Sequence, residues 1–156
     1  RNLNLKIKFR ESFRPFAPVI LKDKVSDWFN FDDESPYMLL VAYIKNEQQK
    51  KLSSDDISKE GLDRLYIHRS TIPAVTHVNN TSRLHTLDKE QNPFLYKIIE
   101  KFNSFTDCPL LVNTSFNVKD EPIVESPADA YRCFMSTEID LLVCGNSLLE
   151  KSEQLS

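Results

Sequence analysis

Two polar clusters and one isolated arginine hold the side chains of this sequence best suited to chemistry. Asn113-Thr114-Ser115-Phe116-Asn117 sets carboxamides and hydroxyls side by side, directly after the apolar run Pro109-Leu110-Leu111-Val112. Such groups, with the N–H groups of a loop, are donors for an oxyanion or a phosphate; the same residue types also make an ordinary polar turn. The second cluster is cationic, with Lys6, Lys8, Arg10 and Arg14 close together near the start. A lysine and an arginine two apart on an extended chain share a face and can converge on one phosphate, Arg as a planar fork and Lys as a point charge. A solvated edge strand guarded by lysine shows the same pattern. Arg83 stands where a turn meets a strand, and its guanidinium could enter a cleft or face solvent. No nucleophile with a base beside it is visible. His68, His77 and His85 lack metal-ligand spacing and read as packed or surface side chains.

These groups need elements to position them. Leu3, Leu5, Ile7 and Phe9 alternate with Asn4, Lys6, Lys8 and Arg10, which is strand periodicity. Residues 37–44 are nearly all apolar and predict a strand buried on both faces. Residues 45–64, rich in Lys, Gln, Ser, Asp and Glu, predict an exposed, mobile loop or a short polar helix. Residues 72–78 look like an edge strand opened by Pro73, followed by a turn at Asn79-Asn80 and a strand over 83–87. Asn92 caps a helix with Pro93 first, whose apolar stripe is Phe94, Leu95, Ile98, Ile99, Phe102 and Phe105. Ser126, Pro127 and Asp129 open another helix, with Tyr131, Phe134 and Met135 toward the core. Residues 139–144 form a last buried strand, ended by Gly145-Asn146. Strand, loop, helix and strand from 108 to 144 predict a βαβ unit with a right-handed crossover. The loop 113–117 then lies beyond the carboxyl end of its first strand, where open α/β sheets bind ligands.

Composition narrows the field. A chain of 156 residues suits one domain, and a formal charge of −3 gives no basic footprint for nucleic acid. No apolar run approaches membrane-spanning length and the start resembles no signal peptide, so a cytoplasmic protein is expected, without membrane contact. The only glycines are Gly61 and Gly145, which excludes a Walker loop and a dinucleotide fingerprint. Cys108, Cys133 and Cys144 are odd in number and lodged in apolar runs, as core thiols of a reducing compartment are. The first residue is Arg1 rather than Met, which suggests a piece of a longer protein.

Four ordered motifs carry a family resemblance. Lys8-Phe9-Arg10, with Ser115-Phe116-Asn117 far downstream, is similar to the Lys-x-Arg … Ser-x-Asn signature of YrdC-like domains. The runs 8–18, 72–78, 111–117 with Glu121-Pro122-Ile123-Val124, and Asp140-Leu141-Leu142-Val143-Cys144-Gly145-Asn146 resemble the carboxy-terminal domain of the NodU/CmcH carbamoyltransferase family. The resemblance runs nearly end to end. It implies an α/β fold, a single YrdC-like domain (residues 1–156) with a twisted mixed sheet and flanking helices. It also implies the carbamoyl-activating module of an O-carbamoyltransferase, using carbamoyl phosphate and ATP, with Mg2+, to make carbamoyl-adenylate. An amino-terminal module of actin-like fold is then expected to pass the carbamoyl group to an acceptor hydroxyl and to carry a metal site. By position, Lys8 and Arg10 would hold phosphate groups and Arg83 the carbamoyl phosphate. Ser115 and Asn117 would bind the nucleotide phosphates or the carbamoyl group, with Asn113 and Thr114 supporting the loop. The sequence departs from the family pattern at Lys119-Asp120, where Arg-Gly or a similar pair is usual, and at Asn79-Asn80-Thr81-Ser82, where Asp-Gly and Ser-Ala are favoured. Two rival roles remain open: a structural module completing a catalytic cleft, and an RNA-associated YrdC-like domain in tRNA threonylcarbamoylation.

Overall fold

A computed structural model describes residues 1–154; Leu155 and Ser156, inside the expected domain, lie outside the described residues. The chain divides into two compact units, one of residues 15–114 and one of residues 1–14 with 115–156.

The 15–114 unit is built on a four-stranded mixed sheet, in agreement with the expected fold class. Its strands are β1 (Ala17–Leu21), β2 (Leu40–Tyr43), β3 (Thr81–Leu87) and β4 (Leu110–Asn113), in the order β2-β3-β1-β4. β1 runs parallel to β3, with Val19 opposite His85, and antiparallel to β4, with Ala17 opposite Asn113. β1 is buried along its whole length, as its Ala-Pro-Val-Ile-Leu run requires. The helix α1 (Val25–Trp28) follows at once, α2 (Ser54–Ser58) lies in the polar stretch, and α3 (Pro93–Thr106) packs on the sheet. Ile99 of α3 joins Val19, Leu21 and Leu87 in one core cluster, with Leu95, Tyr96 and Leu111 at its margin. Asn92 caps α3 by accepting from the Leu95 N–H at 3.0 Å.

The structure departs from the sequence pattern at several elements. The strand expected over residues 37–44 is confined to the edge strand β2 and is not buried on both faces, since Val41 and Tyr43 are exposed while Ala42 between them is buried. Residues 72–78 turn as a 3-10 helix at Pro73–Val75 instead of extending; Pro73 sets the first φ and Val75 is buried. Only part of the expected stripe on α3 meets the sheet, leaving Phe94 and Phe105 exposed, at 68% and 76%. Residues 45–64 are largely exposed but carry short helical turns, of which α2 is closed by a capping box between Ser53 and Asp56.

The other unit holds α4 (Pro127–Met135) and the hairpin β5 (Leu141–Cys144) and β6 (Ser147–Glu150), turned at Gly145, whose φ is +59°. Phe134, Ala130 and Leu142 are its buried centre, flanked by Phe116, Val124, Met135, Ile139 and Leu149. Ser126 accepts from the Asp129 N–H and donates its hydroxyl to the Asp129 carboxylate, the expected cap of α4. The expected βαβ crossover is absent: β5 pairs with β6 and not with the sheet that contains β4. The basic segment is not a strand either. Leu3–Ile7 makes a π-helical turn, closed by a bond from the Lys8 N–H to the Leu3 carbonyl at 2.9 Å. The buried Asn4 carboxamide, donating to the Ser12 and Arg14 carbonyls, holds that turn against the following loop.

Candidate functional site

The π-turn delivers Lys8 and Arg10 to one cleft by a route other than strand alternation. Phe9 between them is left-handed, with φ +48°, and the Arg10 N–H bonds back to the Asn4 carbonyl at 3.0 Å. The cleft has a volume of about 210 Å³ and is lined by Lys8, Arg10, Arg14 and Lys119 with Glu11, Asp120, Ser115, Asn117 and Val118. Cations outnumber carboxylates there, so the local field is positive although the chain is net negative.

Lys8 is buried, 6% exposed, with no carboxylate partner among the described residues. Its ammonium group donates instead to the Ser115 carbonyl at 2.8 Å, the Asn117 carbonyl at 2.6 Å and Asn117 Oδ1 at 2.7 Å, with Ser115 Oγ at 3.3 Å. Three protons meet three good acceptors, so Lys8 fastens the Ser-x-Asn loop. Burial lowers its pKa, and the neighbouring Arg10 charge lowers it further. Arg10 is likewise pushed down, first by burial and then by Arg14. These cations repel one another, and an anion in the cleft would relieve that repulsion.

The loop side chains are already ordered. Ser115 Oγ donates to Asn117 Oδ1 at 2.6 Å, and Asn117 Nδ2 donates to the Glu121 carbonyl at 2.9 Å. The main-chain N–H groups of Ser115, Phe116 and Asn117 find no acceptor among the described residues. Successive N–H groups without an acceptor in the chain, beside cations, are donors that an anion could use. The turn that follows, from the Val118 carbonyl to the Glu121 N–H at 3.4 Å, puts Asp120 at φ +65°.

Arg83 and Asn113, with the exposed Thr114, belong to the other unit. Arg83 is exposed on β3, opposite Val41 of β2. Its charge and partial burial both lower the His77 pKa, burial first. His77 Nδ1 lies 2.9 Å from Thr81 Oγ1, and the Asn79-Asn80 turn is tightened by Asn80 at φ +59°. Asn113 Nδ2 lies 2.8 Å from His85 Nδ1. His85 was legible only as a packed or surface histidine; the signal that could have singled it out is the alternation Arg83-Leu84-His85, which puts it on the same face as Arg83.

A larger cavity, about 460 Å³, lies elsewhere in the 15–114 unit. It is lined by Asp23, Asp32, Asp33, Glu34 and Asp88 against Lys22 and Lys89, with Lys22 ion-paired to Glu34 and Asp88. Its sign is wrong for a phosphate, and no group of three His, Cys, Asp or Glu among the described residues could hold a metal ion. No helix among them is long and apolar enough to cross a membrane.

A cationic cleft at a Ser-x-Asn loop offers charge and hydrogen-bond donors to a small anion. The chain matches the family model of the carbamoyltransferase C-terminus over residues 1–151, and it belongs to that family. It is 52% identical over 152 residues to the uncharacterized protein sll1178 of Synechocystis sp., covering 97% of this chain and 25% of that one. It is 35% identical over 152 residues to nodulation protein NolNO of Sinorhizobium fredii, covering 96% of this chain and 19% of that one. Nodulation protein U of the same organism is 32% identical over 124 residues, 80% of this chain and 19% of its own length. The chain thus spans a quarter or less of the length of these curated relatives.

Proposed function

We propose that this chain is the carbamoyl-activating module of an O-carbamoyltransferase, binding carbamoyl phosphate and ATP to form carbamoyl-adenylate. The observation that carries this reading is the cleft of Lys8, Arg10, Arg14 and Lys119 beside the loop 115–117 with its unpaired N–H groups. Making a mixed anhydride from two polyanions requires charge clamped at the phosphates and reactants held in line, more than it requires a nucleophile. Atom balance sets the sequence of bonds. The phosphoryl group of carbamoyl phosphate passes to water as inorganic phosphate, and a carbamate oxygen then bonds to the α-phosphorus of ATP as pyrophosphate leaves.

In this reading Lys8 acts as a positioning residue, because its protons are committed to the loop. Arg10 supplies charge-assisted hydrogen bonds to phosphate oxygens, and Arg83 takes the carbamoyl phosphate. Mg2+ would travel on the nucleotide phosphates, with Glu11 and Asp120 as the carboxylates at hand in the cleft. Transfer to an acceptor hydroxyl falls to the additional chain that the longer relatives carry. The test is pyrophosphate release by the full-length gene product. Release that requires both ATP and carbamoyl phosphate, and that falls at least tenfold in Arg10→Ala, is the expected result. Pyrophosphate release that ignores carbamoyl phosphate would overturn it.

A further inference from the structure

We propose that His85 reads the carbonyl of the carbamoyl group, so that Arg83 and His85 together select carbamoyl phosphate over inorganic phosphate. The proposal rests on the carbamoyl phosphate reading above and deepens it. Side chains alternate along a strand, so Arg83 and His85 stand two residues apart on one face of β3. The register brings Asn113 to the same face. His85 pairs with Val19 on β1 and Asn113 with Ala17, again two residues apart. Contact confirms the register, since Asn113 Nδ2 is 2.8 Å from His85 Nδ1.

That contact sets the tautomer. A carboxamide nitrogen only donates, so Nδ1 of the neutral ring accepts and the ring proton sits on Nε2. Nε2 has no hydrogen-bond partner among the described residues. The apolar part of this face, Val19, Leu87 and Leu111, is covered by α3, and His85 lies half-buried at its margin. The half-buried ring is therefore held at Nδ1 by Asn113, with one neutral N–H left over. A guanidinium beside a single neutral N–H suits a ligand with an anionic phosphate at one end and an uncharged carbonyl oxygen at the other. Inorganic phosphate uses only the first.

Two measurements on the full-length gene product test this. The first is the 15N spectrum of the His85 ring near pH 7.5, where the Nε2–H tautomer is expected. Observation of the Nδ1–H tautomer would overturn the proposal. The second is calorimetric titration with carbamoyl phosphate and, separately, inorganic phosphate. His85→Ala should weaken carbamoyl phosphate roughly five- to tenfold, the value of one neutral hydrogen bond, and leave inorganic phosphate unchanged. His85→Gln, which restores an N–H donor, should recover part of the loss. Equal losses for both ligands would show a merely structural histidine and overturn the proposal. Unchanged carbamoyl phosphate affinity in His85→Ala would overturn it while sparing the activation reading. A wild-type protein that binds no carbamoyl phosphate overturns both.

Discussion

Asp120 holds a φ of +65° at the third position of the turn from Val118 to Glu121, where a residue with a Cβ carries a steric cost of about 1 kcal/mol. Asp120→Gly should therefore raise stability by roughly 1 kcal/mol, read from the denaturant midpoint. Asp120→Asn separates geometry from charge: asparagine tolerates the same conformation, so stability should barely move while phosphate binds more tightly in the cleft. Arg83 is tested in the same way by titration. A hydrogen bond to an ionised partner contributes about 1.5–3 kcal/mol, so Arg83→Ala should cost ten- to a hundredfold in carbamoyl phosphate affinity and less in ATP affinity. Arg83→Lys restores charge without the planar fork and should rescue only in part. Unaltered carbamoyl phosphate affinity in Arg83→Ala would make Arg83 an ordinary surface residue. At this scale the sequence was informative about residue types and silent about commitments. Nothing in Lys8-Phe9-Arg10 tells that the Lys8 protons are spent on the carbonyls of Ser115 and Asn117.

Elements with local signals were legible and those decided by distant partners were not. The helices α3 and α4 begin where Asn92-Pro93 and Ser126-Pro127 say they should, because a cap is a short-range contact between a side chain and an N–H three residues on. Asn92→Ala should cost about 1 kcal/mol, and hydrogen exchange should show the loss at the first turn of α3. The segment from Leu3 to Ile7 carries a period of two yet winds into a π-turn. What decides it is the Asn4 side chain, which reaches the carbonyls of Ser12 and Arg14, and no alternation of apolar residues reports that. β2 misled for a different reason. An apolar run reveals a strand but not its place in the sheet, and the strand order sets β2 at an edge with Val41 and Tyr43 in the open. The final hairpin was hidden because a parallel crossover and a hairpin partner give the same apolar run at residues 139–144.

For the molecule as a whole, pH should act through its partly buried histidines. Burial lowers both His77 and His85 below their ordinary value of 6.5, and Arg83 adds to the effect at His77. Below 6.5 the unfolded chain takes up protons that the folded chain still refuses, so unfolding binds protons and stability rises with pH. The folded state should be steady above about pH 6.5 and lose stability as the pH falls through the folded values of these histidines, measurable as a drop in Tm. A His77→Gln, His85→Gln double variant should flatten that slope. Residues 45–64, short-turned and exposed, should exchange amide protons soonest, and β1 with β3 last. The central pairing of the sheet has a kinetic consequence. β1 is complete at Leu21, yet its parallel neighbour begins at Thr81 and its antiparallel neighbour at Leu110. Closing loops of that length comes before any reward from the contacts, which places this chain among slow folders of high contact order. During synthesis β1 emerges long before either partner exists, so its five apolar residues stay exposed until the ribosome has released most of the chain, an interval in which a chaperone has reason to hold it.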